Sequence, residues 1–590
     1  MAQPSQFTFI NGPTLSSVEH REDLHRLRSK LISRGIGKQQ KDRARSERLD
    51  KEKASTPPLA PKESCTSQTA VISARPRRKK PLYPTPPDTT SEDQISGVQS
   101  FLSTSDPYSH LNPGQAIALE TYYPAFVLAD RRCQQLIEYC IHVLWPGFRS
   151  SGDYPQQFYL AWLPQAASKP HLFHSMLCCA SVHFASKTGR TRHLDSEQLQ
   201  HRIRAIQSIR QVVSASKRTS TLAMAKSTDM EPLLIAMLFL AMSNDDRRHS
   251  KLREDCSLFT PPLKHLQWLS HYARGPLHSV HWEAVQTLVN KQGGIGNVKT
   301  FGLPWLLSYA SLIQAAITLT SPVYPLHQPN SELYSYISPL RLSEMLDAQQ
   351  RTKGMGSGFH YLQSIGVRTN LVQVFVDLGE LSHIIQRWTD SDDPTRACLP
   401  SIDRLGDCRN SVQHRLLSLP TLAEADVQNF IILEDDNPVS SLCLPLQLYE
   451  TCRIAALLYS ISVTFPISWA VIARRESVLG TLQEGISAIE HQHQGGVLDL
   501  EVLDFLLWCT VIGGIAAAAD ANSPRGRQQR LWYEAQISKL CILRGIRSWR
   551  KMRDVVMSRF AWMERACDAG GLVLWKSIHA FYCHNPEEEE

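Results

Sequence analysis

The sequence predicts an all-α protein, a large multi-helix domain preceded by a disordered basic N-terminal arm. Three observations carry the prediction. From about residue 116 the apolar residues recur at helical spacing, alternating strand patterns are scarce, and the first hundred residues are too polar and proline-rich to build a core. The boundaries read as 1–115 for the arm, 116–583 for the helical domain and 584–590 for an acidic tail ending in EEEE.

The arm holds the charge. The chain has 590 residues and a formal excess of +7, and residues 1–100 carry 18 Lys and Arg against 11 Asp and Glu, which accounts for all of it. Pro57, Pro58, Pro61, Pro76, Pro81, Pro84, Pro86 and Pro87 crowd one stretch. Ordering such a segment costs about 1–2 kcal/mol per residue of backbone, with little apolar surface to offset it. Within it, FTFIN (7–11) is a short extended patch, and Leu24, Leu27 and Leu31 are spaced for a helix over 16–33.

Two basic groups stand out there. Arg75, Arg77, Arg78, Lys79 and Lys80 fall within six residues, a density that suits the acidic groove of an import receptor, or phosphates. Arg26, Arg28, Lys30, Arg34, Lys38, Lys41, Arg43, Arg45 and Arg48 are diluted by Asp42, Glu47 and neighbouring acids. They suit a weak, salt-sensitive contact with phosphates or a partner.

In the body, 171–186 reads as a buried helix, and 231–242 is apolar nearly all round, as a central helix requires. Val285, Leu288 and Val289 mark one face of a helix over 281–295 that stops at Gly293 and Gly294. Leu371, Val374, Leu378, Leu381, Ile385 and Trp388 form one stripe of 3.6-residue period. The segments 449–463 and 505–519 read as further buried helices, the latter too short to span a bilayer. Loops are expected at 186–192, 243–262, 320–345, 351–358, 389–410 and 520–528.

Several chemistries find no support. The opening residues have neither the basic region nor the apolar core of a secretory leader, so the cysteines are expected to be reduced thiols. His171, His174, Cys178 and His183 share one helix, with His174 and Cys178 at i and i+4, yet their surroundings are apolar and no second ligand set is evident. His579, Cys583 and His584 are no better placed. GMGSGF (354–359) lacks the Lys-Ser/Thr of a phosphate loop and is read as flexible. No catalytic arrangement and no cofactor are expected. His491 and His493 read as a solvent-facing helix end.

A series of segments carries a resemblance. HLFHSMLCCASVHFAS (171–186), HRIRAIQSIRQ (201–211), EPLLIAMLFLAMSND (231–245), VHWEAVQTLVNKQGGI (280–295), LPWLLSYASLIQAAITLTSPVYP (303–325), YETCRIAALLYSISVTFPI (449–467), LLWCTVIGGIAAAA (506–519), RLWYEAQ (530–536) and the stretch 545–575 follow one another in order. Together they resemble the fungal-specific transcription factor domain, in the variant group whose members often lack the two-zinc, six-cysteine DNA-binding module. That module needs two C-x2-C-x6-C sets, and residues 1–132 contain only Cys65. One departure is local: Trp305 is followed by Leu306, Leu307 and Ser308, where the family usually carries an acid, which puts a polar contact at that turn in doubt.

The resemblance implies a nuclear transcriptional regulator. Its helical domain would bind protein partners (a transcription factor, an import receptor or a second copy) or a small effector, with DNA reached indirectly or weakly and no membrane involved. The alternative is a cytosolic helical adaptor without a role at genes. Trp305, Trp508, Trp532, Trp549, Trp562 and Trp575 are expected to anchor helix packing, with a ligand pocket as the minority role. Glu450 and Arg453, at i and i+3, are expected to form an ion pair.

Overall fold

A computed structural model describes residues 131–582, apart from 151, 189–194, 219–226, 244–256, 343–355, 391–398, 424–429, 432–442, 469–470, 473–474, 493–498 and 521–522. Both basic groups of the arm, the helix expected over 16–33 and the acidic tail lie outside the described residues, as do Cys583, His584 and the His579 side chain.

Among the described residues the regular structure is helical, with two isolated bridges, His327 to Leu333 and Val367 to Ile431. The N-terminal half comprises α1 (Arg131–Tyr139, continued by a π-turn Cys140–Leu144), α2 (Tyr154–Ser168), α3 (Pro170–Thr188), α4 (Asp195–Arg218), α5 (Ser227–Met242), the short α6 (Leu269–Tyr272), α7 (Ser279–Lys291) and α8 (Leu303–Thr318). The C-terminal half comprises α9 (Pro339–Leu342), α10 (His360–Ser364), α11 (Thr369–Thr389), α12 (Ile402–Leu417), α13 (Cys443–Ser462), α14 (Arg475–Gln492), α15 (Leu500–Ala517), α16 (Pro524–Arg544), α17 (Trp549–Val555) and α18 (Glu564–Tyr582).

Each half has a helix that is apolar all round, and the others gather on it. In the first half α3 and α5 are the centre: α4 packs on α3, α7 on α5, and α1 and α2 on the outer side of α3. In the second half α15 is enclosed by α13, α14, α16 and α18. The two halves meet through α8 against α12, and one continuous core runs from Cys133 to Ile578.

The sequence pattern explains the individual elements. The stripe on α11 faces inward, with Leu371, Val374, Leu378, Leu381 and Ile385 buried and Trp388 packed beside them. Helix α7 ends where expected, because Gly293 and Gly294 take φ of +80° and +106°, a region that a side chain disfavours. Tryptophans bring their polar handle to a carbonyl or carboxylate. Trp508 donates to the Ala561 carbonyl at 3.0 Å, Trp162 to Phe301 at 2.8 Å, and Trp562 to the Asp568 carboxylate at 2.9 Å. Trp532, Trp549 and Trp575 pack against the core edge. The Glu450–Arg453 pair forms, with two contacts of 3.0 and 2.6 Å.

Four expectations need correction. The loop placed at 389–410 is helical from Ile402, and that at 520–528 is helical from Pro524. Both starts carry a serine cap: Ser401 accepts from the Arg404 amide and Ser523 from the Gly526 amide. The apolar residues of α12 (Ile402, Leu405, Cys408, Val412, Leu416) keep helical spacing beneath a polar composition that hides it. The end of the GMGSGF segment is a short 3-10 turn, Ser357–Phe359, because Phe359 is fully buried against Trp508 and Phe560. Helix α15 is longer than the 505–519 run: at 18 residues it is apolar and long enough to cross a bilayer, and 89% of it is buried inside the protein. Asp504 lies inside this helix, 1% exposed, and accepts from Arg544 (2.6 and 3.3 Å) and Arg559 (2.9 Å).

Trp508 sits where α15, Phe359 and Phe560 converge, so Trp508→Ala should cost about 3–5 kcal/mol of stability. Urea unfolding followed by circular dichroism measures it. A loss below about 1 kcal/mol would contradict its place in the core.

Candidate effector pocket

The junction between the halves is built on two strained residues. Gln267 and Trp268 are consecutive and both left-handed, with φ of 56° and 58°. Each such non-glycine residue costs roughly 1–2 kcal/mol, so the surroundings must hold them.

Four groups do so. The Trp268 indole donates to the Leu144 carbonyl at 2.8 Å and lies directly over Gly147, where a methyl group would overlap the ring. The Lys187 ammonium sits 4.5 Å above the same indole. Tyr309 donates to the Gln267 carbonyl at 3.1 Å. The buried Gln267 side-chain oxygen accepts from Arg409 and from Asn410, both at 2.9 Å.

Arg409 is almost wholly buried at 1% exposure, and its guanidinium lies over the Phe465 ring. Burial lowers its pKa, while Tyr309 and then Asp407 favour the charge. Asp407, two residues earlier on α12, pairs with Arg149, which also stacks over Tyr154 and Trp305 at 5.2 Å. Burial raises the Asp407 pKa, and Arg149 opposes the rise. Asp403, one turn back, accepts from the Ser150 amide at 3.2 Å. The polar face of α12 therefore joins the π-turn region, the strained turn and α8 in one network.

A cleft opens beside this network. Trp305, Tyr309, Leu326, His327, Tyr334, Asp407 and Asn410 line about 230 Å³ of space that is continuous with solvent. Its enclosed part has room for about one water molecule, well below a drug-sized ligand site. Trp305 and Tyr309 stack at 5.4 Å to form the aromatic wall. Burial pushes Tyr309 up to about 12, so its hydroxyl stays protonated. The Ser308 hydroxyl, 2.8 Å from the carbonyls of both Pro304 and Pro325, ties α8 to the opposite wall. The polar contact put in doubt at that turn is thus supplied by a serine. The one carboxylate of the cleft is already engaged by Arg149.

Of the tryptophans, Trp305 lines the cleft and the rest pack helices. The histidines and cysteine of α3 diverge. His174 faces His201 at 3.1 Å, Tyr139 and His183 share a hydrogen bond of 2.6 Å, and Cys178 is fully buried. Among the described residues no group of three or more His, Cys, Asp or Glu is placed to hold a metal ion. The network of Gln267, Arg409 and Asn410 is not legible in the sequence, because 389–410 reads as loop; the cap at Ser401 and the spaced apolar residues of α12 are the signal for the helix.

The fold defines an all-α domain organised around an inter-helix junction. The chain belongs to the family described as the fungal specific transcription factor domain, whose model matches residues 136–579. The family is one of transcription factors rather than enzymes, and it makes the chain a transcription regulator. No curated protein and no solved structure matches the chain.

Two outcomes follow from this geometry. Gly147→Ala should destabilise the protein by about 1–3 kcal/mol through overpacking on Trp268, read as a lowered midpoint in urea; an unchanged midpoint would show that the indole is not held there. His174 and His281 are lowered to about 4 by burial and by the neighbouring His201 and His278, and His183 is lowered by burial and Lys187. The unfolded chain binds these protons first, so stability should fall as pH drops below about 6.5 toward 4. Thermal unfolding across that range tests the sign, and His281→Gln should flatten the slope.

Proposed function

We propose that the protein is a nuclear regulator of transcription that works through what its helical domain binds rather than through a zinc cluster of its own. The observation that carries the reading is the family match across the whole helical body. The cysteine spacing of this sequence supports it, since no paired C-x2-C-x6-C set is available, and so does the basic group at 74–81. DNA is reached through a partner, with at most a weak contact from the basic stretch around Arg26 to Arg48. The helical domain takes a protein partner or a small effector, and the cleft beside Trp305 and Asn410 would have to widen to hold one.

Import depends on Arg77, Arg78, Lys79 and Lys80. Changing all four to alanine in a fluorescent full-length fusion should lower the nuclear-to-cytoplasmic ratio several-fold. An unchanged ratio would remove these residues from import. A wild-type fusion that stays cytosolic under every growth condition tried would favour the adaptor reading. Chromatin immunoprecipitation, with occupancy lost when a co-purifying partner is deleted, tests indirect recruitment.

A further inference from the structure

The segment 523–551 differs from the rest of the body. It holds eight Lys and Arg against one acid, Glu534, whereas residues 101–590 carry equal numbers of each. Most of it is α16, which is anchored on its inner side: Tyr533, Ile537 and Leu540 are fully buried, and Tyr533 donates to the Leu479 carbonyl at 3.0 Å. The outer side carries Gln528, Leu531, Ala535, Lys539 and Ile542, spaced by three and four, so they form one stripe along the helix.

Three exposed residues of α16 are large and aliphatic. Leu531 is 56% exposed, Ile542 72% and Leu543 55%. Leu531 and Ile542 stand eleven residues apart, about three turns along one face. Exposed arginines flank them at Arg527 on one end and Arg547 on the other, while Lys539 pairs with Glu490 at 2.9 Å. Four of the eight cations are already paired, Arg530 with Glu534, Lys539 with Glu490, Arg544 with Asp504 and Arg550 with Asp554, and Arg527 and Arg547 stand as exposed charges beside three large aliphatic groups on one helix, a two-part recognition surface.

We infer that the outer face of α16 docks an acidic peptide that carries large apolar side chains about three turns apart. The arginines supply charge complementarity and orientation, and Leu531, Ile542 and Leu543 supply the area removed from water. The large exposed apolar groups between the arginines, Leu531, Ile542 and Leu543, are aliphatic, whereas surfaces for single-stranded nucleic acid present aromatic platforms to the bases. The inference rests on the reading of the helical body as a partner-binding regulator. Its test is a titration in solution, so it fails or succeeds separately from nuclear import.

The probe is a fluorescein-labelled peptide of about 18 residues, with glutamate on one face and leucine and phenylalanine at every third and fourth position of the other. Fluorescence anisotropy against the full-length protein should show saturable binding that weakens with salt. Leu531→Ser with Ile542→Ser should weaken it about tenfold or more, and Arg527→Glu with Arg547→Glu severalfold. All four positions are exposed, so the variants should keep the wild-type thermal unfolding curve. A matched peptide with alanine in place of its apolar residues should bind far less. The inference is overturned if the alanine peptide binds equally well, or if either variant binds as the wild type does. It is also overturned if the wild type shows no saturable binding, or if an oligothymidine or phosphatidylserine vesicles displace the peptide from Leu531 and Ile542.

Discussion

The buried hydrogen bonds from Arg409 and Asn410 to Gln267 are the constraint on which the arrangement of the two halves depends. They sit where the chain is least comfortable, at two successive left-handed residues, and they compensate that discomfort with a charged donor in a dry site. A guanidinium so buried would be unfavourable alone. Here it is spread over the Gln267 and Asn410 side-chain oxygens, a backbone carbonyl and an aromatic face. The strain and the buried charge are therefore each tolerated because of the other.

The same logic recurs at other crossings. Glu231 on α5 accepts the amides of Lys299 and Thr300 at 2.8 Å and so fixes the approach to α8. Asp377 on α11 accepts from Tyr336, Gln373 and Arg415, joining the 320–340 segment to α12. In each case a carboxylate inside an apolar helix receives donors from a neighbouring element. Apolar burial is plentiful and undirected in this protein, so these few polar ties give the packing its register.

The amphipathic and all-apolar helices were legible in the sequence because their signal is local. The stripe on α11 and the apolar runs of α5 and α15 need only their own residues. Helix α12 was not, since its buried face includes Arg409, Asn410 and Gln413, residues that read as loop until their partners on a distant turn are known. Ser308 illustrates the same limit: its value lies in the Pro325 carbonyl, which no pattern within α8 reveals. The ion pair of Glu450 and Arg453 was readable because it is contained in one helical turn. What escaped was in general a contact between residues far apart in the chain.

Asp504 has a consequence for synthesis. Its two cationic partners follow it by 40 and 55 positions, so the ribosome finishes the most apolar helix of the protein well before either guanidinium exists. In that interval the helix has only α13 and α14 of its four enclosing helices, and the carboxylate in its first turns has neither guanidinium. Premature termination before Arg559 would leave the finished helix without α18 and without its second cationic partner, so the far end of the chain is the part that completes its burial.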